Sequence, residues 1–143
     1  MKIERFEDIE GWQLARELSR KVYRLSRKPG FDRDFALRDQ IRAAAGSVMH
    51  NIAEGFDSEG NVEFARFLRY AKRSCTEVQS QLYLALDEDY ITRTEFDDAY
   101  AFAGRTRAVI HGFLRYLGSC AQRKEPPLSK SQPKQPRTLN PAP

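Results

Sequence analysis

Phe64, Phe67, Leu68, Ala71, Cys75, Val78, Leu82, Ala85 and Leu86 recur at steps of three and four along the chain. That spacing lays them on one side of an α-helix of about six turns and does not suit the two-residue period of a strand. A helix with one such stripe is marginal alone in water, because its stability comes from burying the stripe against partners. The chain supplies three partners with the same spacing. They carry Trp12, Ala15, Leu18, Val22 and Leu25; Leu37, Ile41, Ala44, Ala45, Val48 and Ile52; and Phe96, Tyr100, Ala103, Ile110, Phe113, Leu114 and Leu117. Strand-like alternation occurs in none of these segments.

The breaks between the segments are short. Pro29 and Gly30 end the first, Asp32 and Asp34 offer N-caps to the second, and Gly55 is expected to close the second before the loop FDSEGN. Asn61 is expected to cap the third helix, and TEFD (Thr94 to Asp97) reads as a capping box for the fourth. Amphipathic helices of roughly twenty residues joined by short loops favour a bundle. The expectation is an all-α, antiparallel up-down-up-down four-helix bundle over residues 1–122. Residues 123–143 read as a disordered, basic, Pro-rich tail, since they hold six of the seven prolines and almost no apolar side chain to offset the entropy of ordering.

The formal charge of +4 belongs to that tail. Arg123, Lys124, Lys130, Lys134 and Arg137 stand there against Glu125 alone, which leaves cations and acids equal in number over residues 1–122. What can identify a partner is therefore arrangement and not net charge. Arg16, Arg20, Arg24 and Arg27 fall at steps of four, four and three on the first helix, and Arg66, Arg69, Lys72 and Arg73 cluster on the third. Such stripes can neutralise phosphates and bind RNA or DNA without sequence preference. The competing reading is a solvated face paired with neighbouring acids.

No apolar run approaches the roughly 20 residues that span a bilayer, and MKIERFEDIE has no apolar signal core, so the chain is read as cytoplasmic with no membrane partner. Cys75 and Cys120 are far apart and, with His50 and His111, form no zinc or redox spacing; no metal and no cofactor is expected. A di-iron bundle needs Glu-x-x-His, but Ser47 and Ala108 stand three residues before His50 and His111. No glycine-rich turn presents a serine or cysteine nucleophile. One catalytic pattern survives: Arg105 and His111 resemble the spaced Arg and His of HEPN-family helical ribonucleases, where the pair would act on the 2′-hydroxyl and phosphate of RNA.

The second helix carries a further stripe that is polar. At about 100° per residue with Val48 as zero, its core residues lie within about 60°, whereas Gln40, Ser47, Asn51 and Glu54 cluster between about −60° and −120°. Ser74, Glu77 and Gln81 form a comparable flank on the third helix. Ser47, Asn51 and Glu54 are expected to hydrogen-bond across to that flank or its backbone, fixing bundle register or a subunit contact.

The segments FEDIEGWQLARELSRKVYRLS, LRDQIRAAAGSVMHNIAEGF and EFARFLRYAKRSCTEVQSQLYLAL, the last followed by DYI, resemble the four-helix-bundle proteins named after open reading frames in 23S rRNA intervening sequences. The resemblance covers about residues 6–118. It places the family motif on Gln40, Arg42, Ser47, Asn51, Ile52, Ala53, Glu54 and Gly55, and on Ser74, Glu77 and Gln81. It implies a small cytosolic bacterial bundle that assembles into a homopentameric ring, with no known catalytic activity. A branch of the family is similar to the accessory protein of diversity-generating retroelements, which binds reverse transcriptase and nucleic acid through a basic surface. The resulting expectation is a non-enzymatic homopentameric scaffold with nonspecific RNA or DNA affinity through the arginine stripes. The alternatives are a HEPN-like ribonuclease and an adaptor for a reverse transcriptase or other specific protein. Lys72-Arg73 makes the third helix more basic than the family pattern, and the tail lies outside the family core.

Overall fold

A computed structural model describes residues 2–123, with side chains through Cys120. Two 3-10 turns, Phe6–Asp8 and Phe31–Arg33, precede α1 (Glu10–Ser26) and α2 (Phe35–Asp57), and α3 (Asn61–Asp87) and α4 (Arg93–Arg123) follow. Connections of eight, three and five residues make consecutive helices antiparallel neighbours. α1 packs on α2 and α4, and α3 packs on the same two, so α1 and α3 stand at opposite corners of an up-down-up-down bundle. The segment 124–143, which includes nearly all of the expected tail, lies outside the described residues. Arg123 is the last residue of α4.

The apolar stripes meet in one core: Leu18, Val22, Ile41, Val48, Ile52, Phe64, Leu68, Val78, Leu82, Ile110 and Leu117 are all buried there. Two buried hydroxyls are satisfied within it. Ser26 Oγ accepts from Arg42 Nε at 2.7 Å and donates to the Tyr23 carbonyl, and Thr106 Oγ1 donates to the Phe102 carbonyl at 2.8 Å. The Arg42 guanidinium also lies 4.7 Å from the Tyr23 ring centroid, so the motif arginine of α2 ties it to α1.

The ends of the helices differ from expectation in several places. Asp34 caps α2 by accepting from the Leu37 N–H at 3.2 Å, but α2 continues past Gly55 to Asp57. Gly55 is needed instead for close approach: a Cβ there would stand 2.8 Å from Phe64 Cδ1 and Phe67 Cβ on α3. Asn61 is already the first helical residue of α3, so its side chain is past the capping position, which Gly60 holds. The capping box of α4 joins Thr92 and Glu95, not Thr94 and Asp97. The Glu95 N–H donates to Thr92 Oγ1 at 3.1 Å and the Thr92 N–H to Glu95 Oε1 at 2.9 Å. Asp97 has a shorter side chain and pairs with Arg93 at 3.2 Å. Glu95 also accepts from Lys28 after α1, which closes the α1–α4 corner.

The last turn of α3 ends in a Schellman motif, with the Tyr90 N–H donating to the Ala85 carbonyl and the Asp89 N–H to that of Leu86. Asp89 occupies its left-handed position at φ 58°, a conformation that glycine adopts without the clash a Cβ brings. Asp89→Gly should therefore raise stability by about 1 kcal/mol, helped by removal of a carboxylate from a helix C-terminus. Chemical denaturation reads this directly. The same assay should show Gly55→Ala destabilised by roughly 1–2 kcal/mol, because overpacking outweighs the better helix propensity of alanine. Gly112→Ala, where an added Cβ meets nothing within 4 Å, should gain about 0.5–1 kcal/mol.

Candidate nucleic-acid interface

α3 presents Arg69, Lys72, Arg73 and Thr76 within two turns of one face, because residues three and four apart are neighbours on a helix. α4 runs antiparallel beside it and brings Arg107, His111 and Arg115, each one turn from the next. The register is visible at Gly104, where a Cβ would meet Gln79 Nε2 at 3.3 Å, and at His111, whose Nδ1 lies 2.9 Å from Lys72 Nζ. Arg69, Lys72, Arg73, Thr76 and Arg107 line an open hollow of about 430 Å³. Among the described residues, none of its cations, nor Arg115, is in an ion pair.

The local field is accordingly positive. Lys72 foremost, then some desolvation by its neighbours, Arg115 and Arg107 hold the imidazole of the exposed His111 below the ordinary histidine range. Behind the face, burial pushes the Cys75 thiol up to about 12 against the opposing charge of Arg107, so the sulfur is held protonated and is a poor nucleophile. Arg73 and Arg66 lie 5.9 and 5.8 Å from the Tyr70 ring centroid, which gives the edge of the face an aromatic surface. Arg66 is also paired with Glu63 at 3.4 Å.

The α1 stripe is a different surface on the opposite corner. Arg16, Arg20, Arg24 and Arg27 line a hollow with Ser19 and Tyr23, but Glu17 accepts from both Arg20 and Arg24 at 3.2 Å, and Arg16 lies over Trp12. Two of the four arginines share that one carboxylate, which offsets a single charge of the stripe within its own helix. The two stripes do not join into one groove.

The polar flank is connected in part. Asn51 Nδ2 donates to the Ser47 carbonyl at 2.8 Å and to Ser47 Oγ at 2.9 Å, and Ser74 Oγ donates to the same Ser47 Oγ at 2.9 Å, crossing from α3 to α2. Gln81 Nε2 donates to Glu77 Oε1 at 3.3 Å within α3, while the buried Gln81 Oε1 has no partner. Glu54 corrects the expectation: it is exposed and bonds to no described residue. Its neighbour Gly55 faces Phe64 and Phe67, and a rotation of about 100° turns Glu54 from α3. Gln40 is exposed as well.

Arg105 and His111, the ribonuclease-like pair, are not brought to one face. Six residues rotate a helix by about 600°, leaving them about 120° apart around α4, and Arg105 is not among the charges that reach the His111 ring. The arginines whose charge does reach His111 are Arg107 and Arg115, which the sequence reading did not single out. Their spacing of four on either side of His111 was the available signal. His50 is exposed beside a hollow of α1 and α2 that Tyr23, Asp39 and Arg42 also line. Among the described residues no group of three or more His, Cys, Asp or Glu could hold a metal ion, and no helix is long and apolar enough to cross a membrane.

Fold and site together define an all-α up-down four-helix bundle with an uncompensated cationic face. The chain belongs to the 23S rRNA-intervening sequence protein family, whose family model matches residues 7–112. It is similar in fold to a crystal structure from Bacteroides thetaiotaomicron VPI-5482, a protein with unknown function from the S23 ribosomal protein family. The TM-score is 0.68 and the identity 19%, over 73% of this chain and 95% of that one. No curated protein gives a significant match.

The Ser47–Ser74 contact can be weighed by a double-mutant cycle. Ser47→Ala should cost about 1–2 kcal/mol, because it leaves the buried Ser74 hydroxyl without its acceptor, and Ser74→Ala about 1 kcal/mol. The double variant should cost clearly less than their sum, and additive unfolding free energies would remove the bond from the account of α2–α3 register.

Proposed function

We propose that this protein is a non-enzymatic, homo-oligomeric bundle of the cytoplasm that holds the phosphate backbone of RNA or DNA on its α3–α4 face, without sequence preference. The observation that carries the reading is the set of Arg69, Lys72, Arg73, Arg107 and Arg115, gathered from two helices with no ion-paired carboxylate among them. Phosphate contact is the chemistry that such an array serves: each cation that displaces a condensed counterion favours binding through release of that ion. Arginines also offer planar donors to phosphate oxygens and flat surfaces to bases.

Assembly into a pentameric ring is what the family resemblance implies. A ring requires a heterologous contact, one patch of each protomer meeting a different patch of the next. The exposed apolar side chains of Phe35, Val62, Tyr83 and Leu84 are suited to such contacts, and Gln40 and Glu54 at the edge of the polar flank are available for polar ones.

Replacing Arg69, Arg73 and Arg107 together by glutamine should weaken binding of single-stranded RNA of any sequence and flatten the slope of log affinity against log salt by about 2 units. The same change at Arg16, Arg20 and Arg24 should have the smaller effect, since Glu17 already engages two of them. Equal losses from the two triples would place binding elsewhere. Light scattering should give about five times the 16.5 kDa protomer mass, and a monomer at micromolar concentration would overturn the assembly.

A further inference from the structure

The cationic face contains one group whose charge is not fixed. His111 stands within it, reached by Lys72 from α3 and flanked along α4 by Arg107 and Arg115. A lysine ammonium has donors only, so His111 Nδ1 accepts from Lys72, and the ring proton of the neutral imidazole belongs on Nε2. Arg69 and Arg73 complete the charged groups that α3 contributes to the hollow. α1 is the other helix packed on α4, and no charge from it is among those acting on the ring. The charges that do act on it, Lys72, Arg107 and Arg115, are all positive, with no carboxylate among them. In the free protein this arrangement keeps the imidazole neutral at pH 7.

A chain of phosphates laid across these cations would reverse the sign of the local field. It would draw the Lys72 ammonium toward its oxygens, release Nδ1 from that hydrogen bond, and favour a second ring N–H that donates to phosphate. We infer that His111 is the proton-linked contact of this face, taking up a proton as a single-stranded polyanion binds, so that the face grips its ligand more tightly as the solution becomes more acid. This rests on the nucleic-acid reading above and adds its regulation. The coupling is reciprocal: if phosphates raise the proton affinity of the ring, protons must raise the phosphate affinity of the face by the same factor.

The test uses the full chain and oligouridylate, in which neither the bases nor the phosphodiesters titrate between about pH 5.5 and pH 8, the window in which histidine changes charge. A shift of about one pKa unit on binding corresponds to an affinity gain of about tenfold on acidification across that window. Calorimetry in two buffers of different ionisation enthalpy should report net proton uptake, and the ring resonances of His111 should titrate at higher pH with oligouridylate than without it. His111→Gln should remove both the uptake and most of the pH dependence. His50→Gln, at an exposed position between α1 and α2, is the control variant and should leave both readouts unchanged. Binding that is indifferent to pH, or pH dependence that survives His111→Gln, overturns the inference and leaves the binding face standing. Failure to bind oligouridylate at any pH overturns both.

Discussion

The contact between α2 and α3 at Gly55 sets the geometry on which the rest depends. Phe64 and Phe67 come so near the α2 backbone that a single Cβ would overlap them. The connection beyond is only residues 58–60, with the Ser58 N–H returning to the Gly55 carbonyl. An approach this close at one end, with the Ser74–Ser47 hydrogen bond further along, leaves α3 little freedom to rotate about its axis. Its remaining faces follow. The Phe64, Leu68, Ala71 and Cys75 stripe enters the core, and Arg69, Lys72, Arg73 and Thr76 are carried to the side where α4 passes.

α4 then arrives in a register determined at the opposite end of the bundle. The Thr92–Glu95 box starts the helix, Lys28 holds Glu95 to the end of α1, and Tyr90 reaches back to Asp34 at the start of α2. From that anchor, Gly104, Arg107 and His111 descend beside Gln79, Thr76 and Lys72. The cationic face is thus a product of two separate constraints, one at each end of the bundle. By contrast α1 carries a counter-charge of its own in Glu17, which engages Arg20 and Arg24 without help from a neighbouring helix.

This division explains what could be read from the sequence. Helix number, helix faces and up-down order were legible because apolar spacing reports directly on burial, and the loops were too short for other connections. Helix ends were less so, since the same residue serves different geometries. Gly55 suits a C-terminus and also a close helix crossing, and only the position of Phe64 decides between them. Two threonines two residues apart each began a capping pattern, and Glu95, with its longer side chain and its tie to Lys28, selected Thr92. Half of the candidate site, Arg69 to Arg73, was visible as a run on one helix. The other half required knowing which turn of α4 passes Lys72, a register that no local pattern encodes. His111 was therefore noticed but paired within its own helix, where the rotation of about 120° separates it from Arg105.

A cluster of like charges without counter-ions works against the folded state, and the imidazole is where this fold limits the penalty. A neutral His111 gives Lys72 an acceptor and adds no further charge among Lys72, Arg107 and Arg115. The linkage has a definite sign. The native ring has the lower pKa, so below the ordinary histidine value the unfolded chain binds a proton that the native ring resists, and the folded state becomes less favourable as pH falls. On the proposed reading, phosphates placed across the same groups would reverse each contribution, turning cation repulsion into attraction and the resisted proton into a donor. A face holding phosphates would therefore take up the proton that the unliganded face resists, and by the same reciprocity acid would strengthen its hold on them.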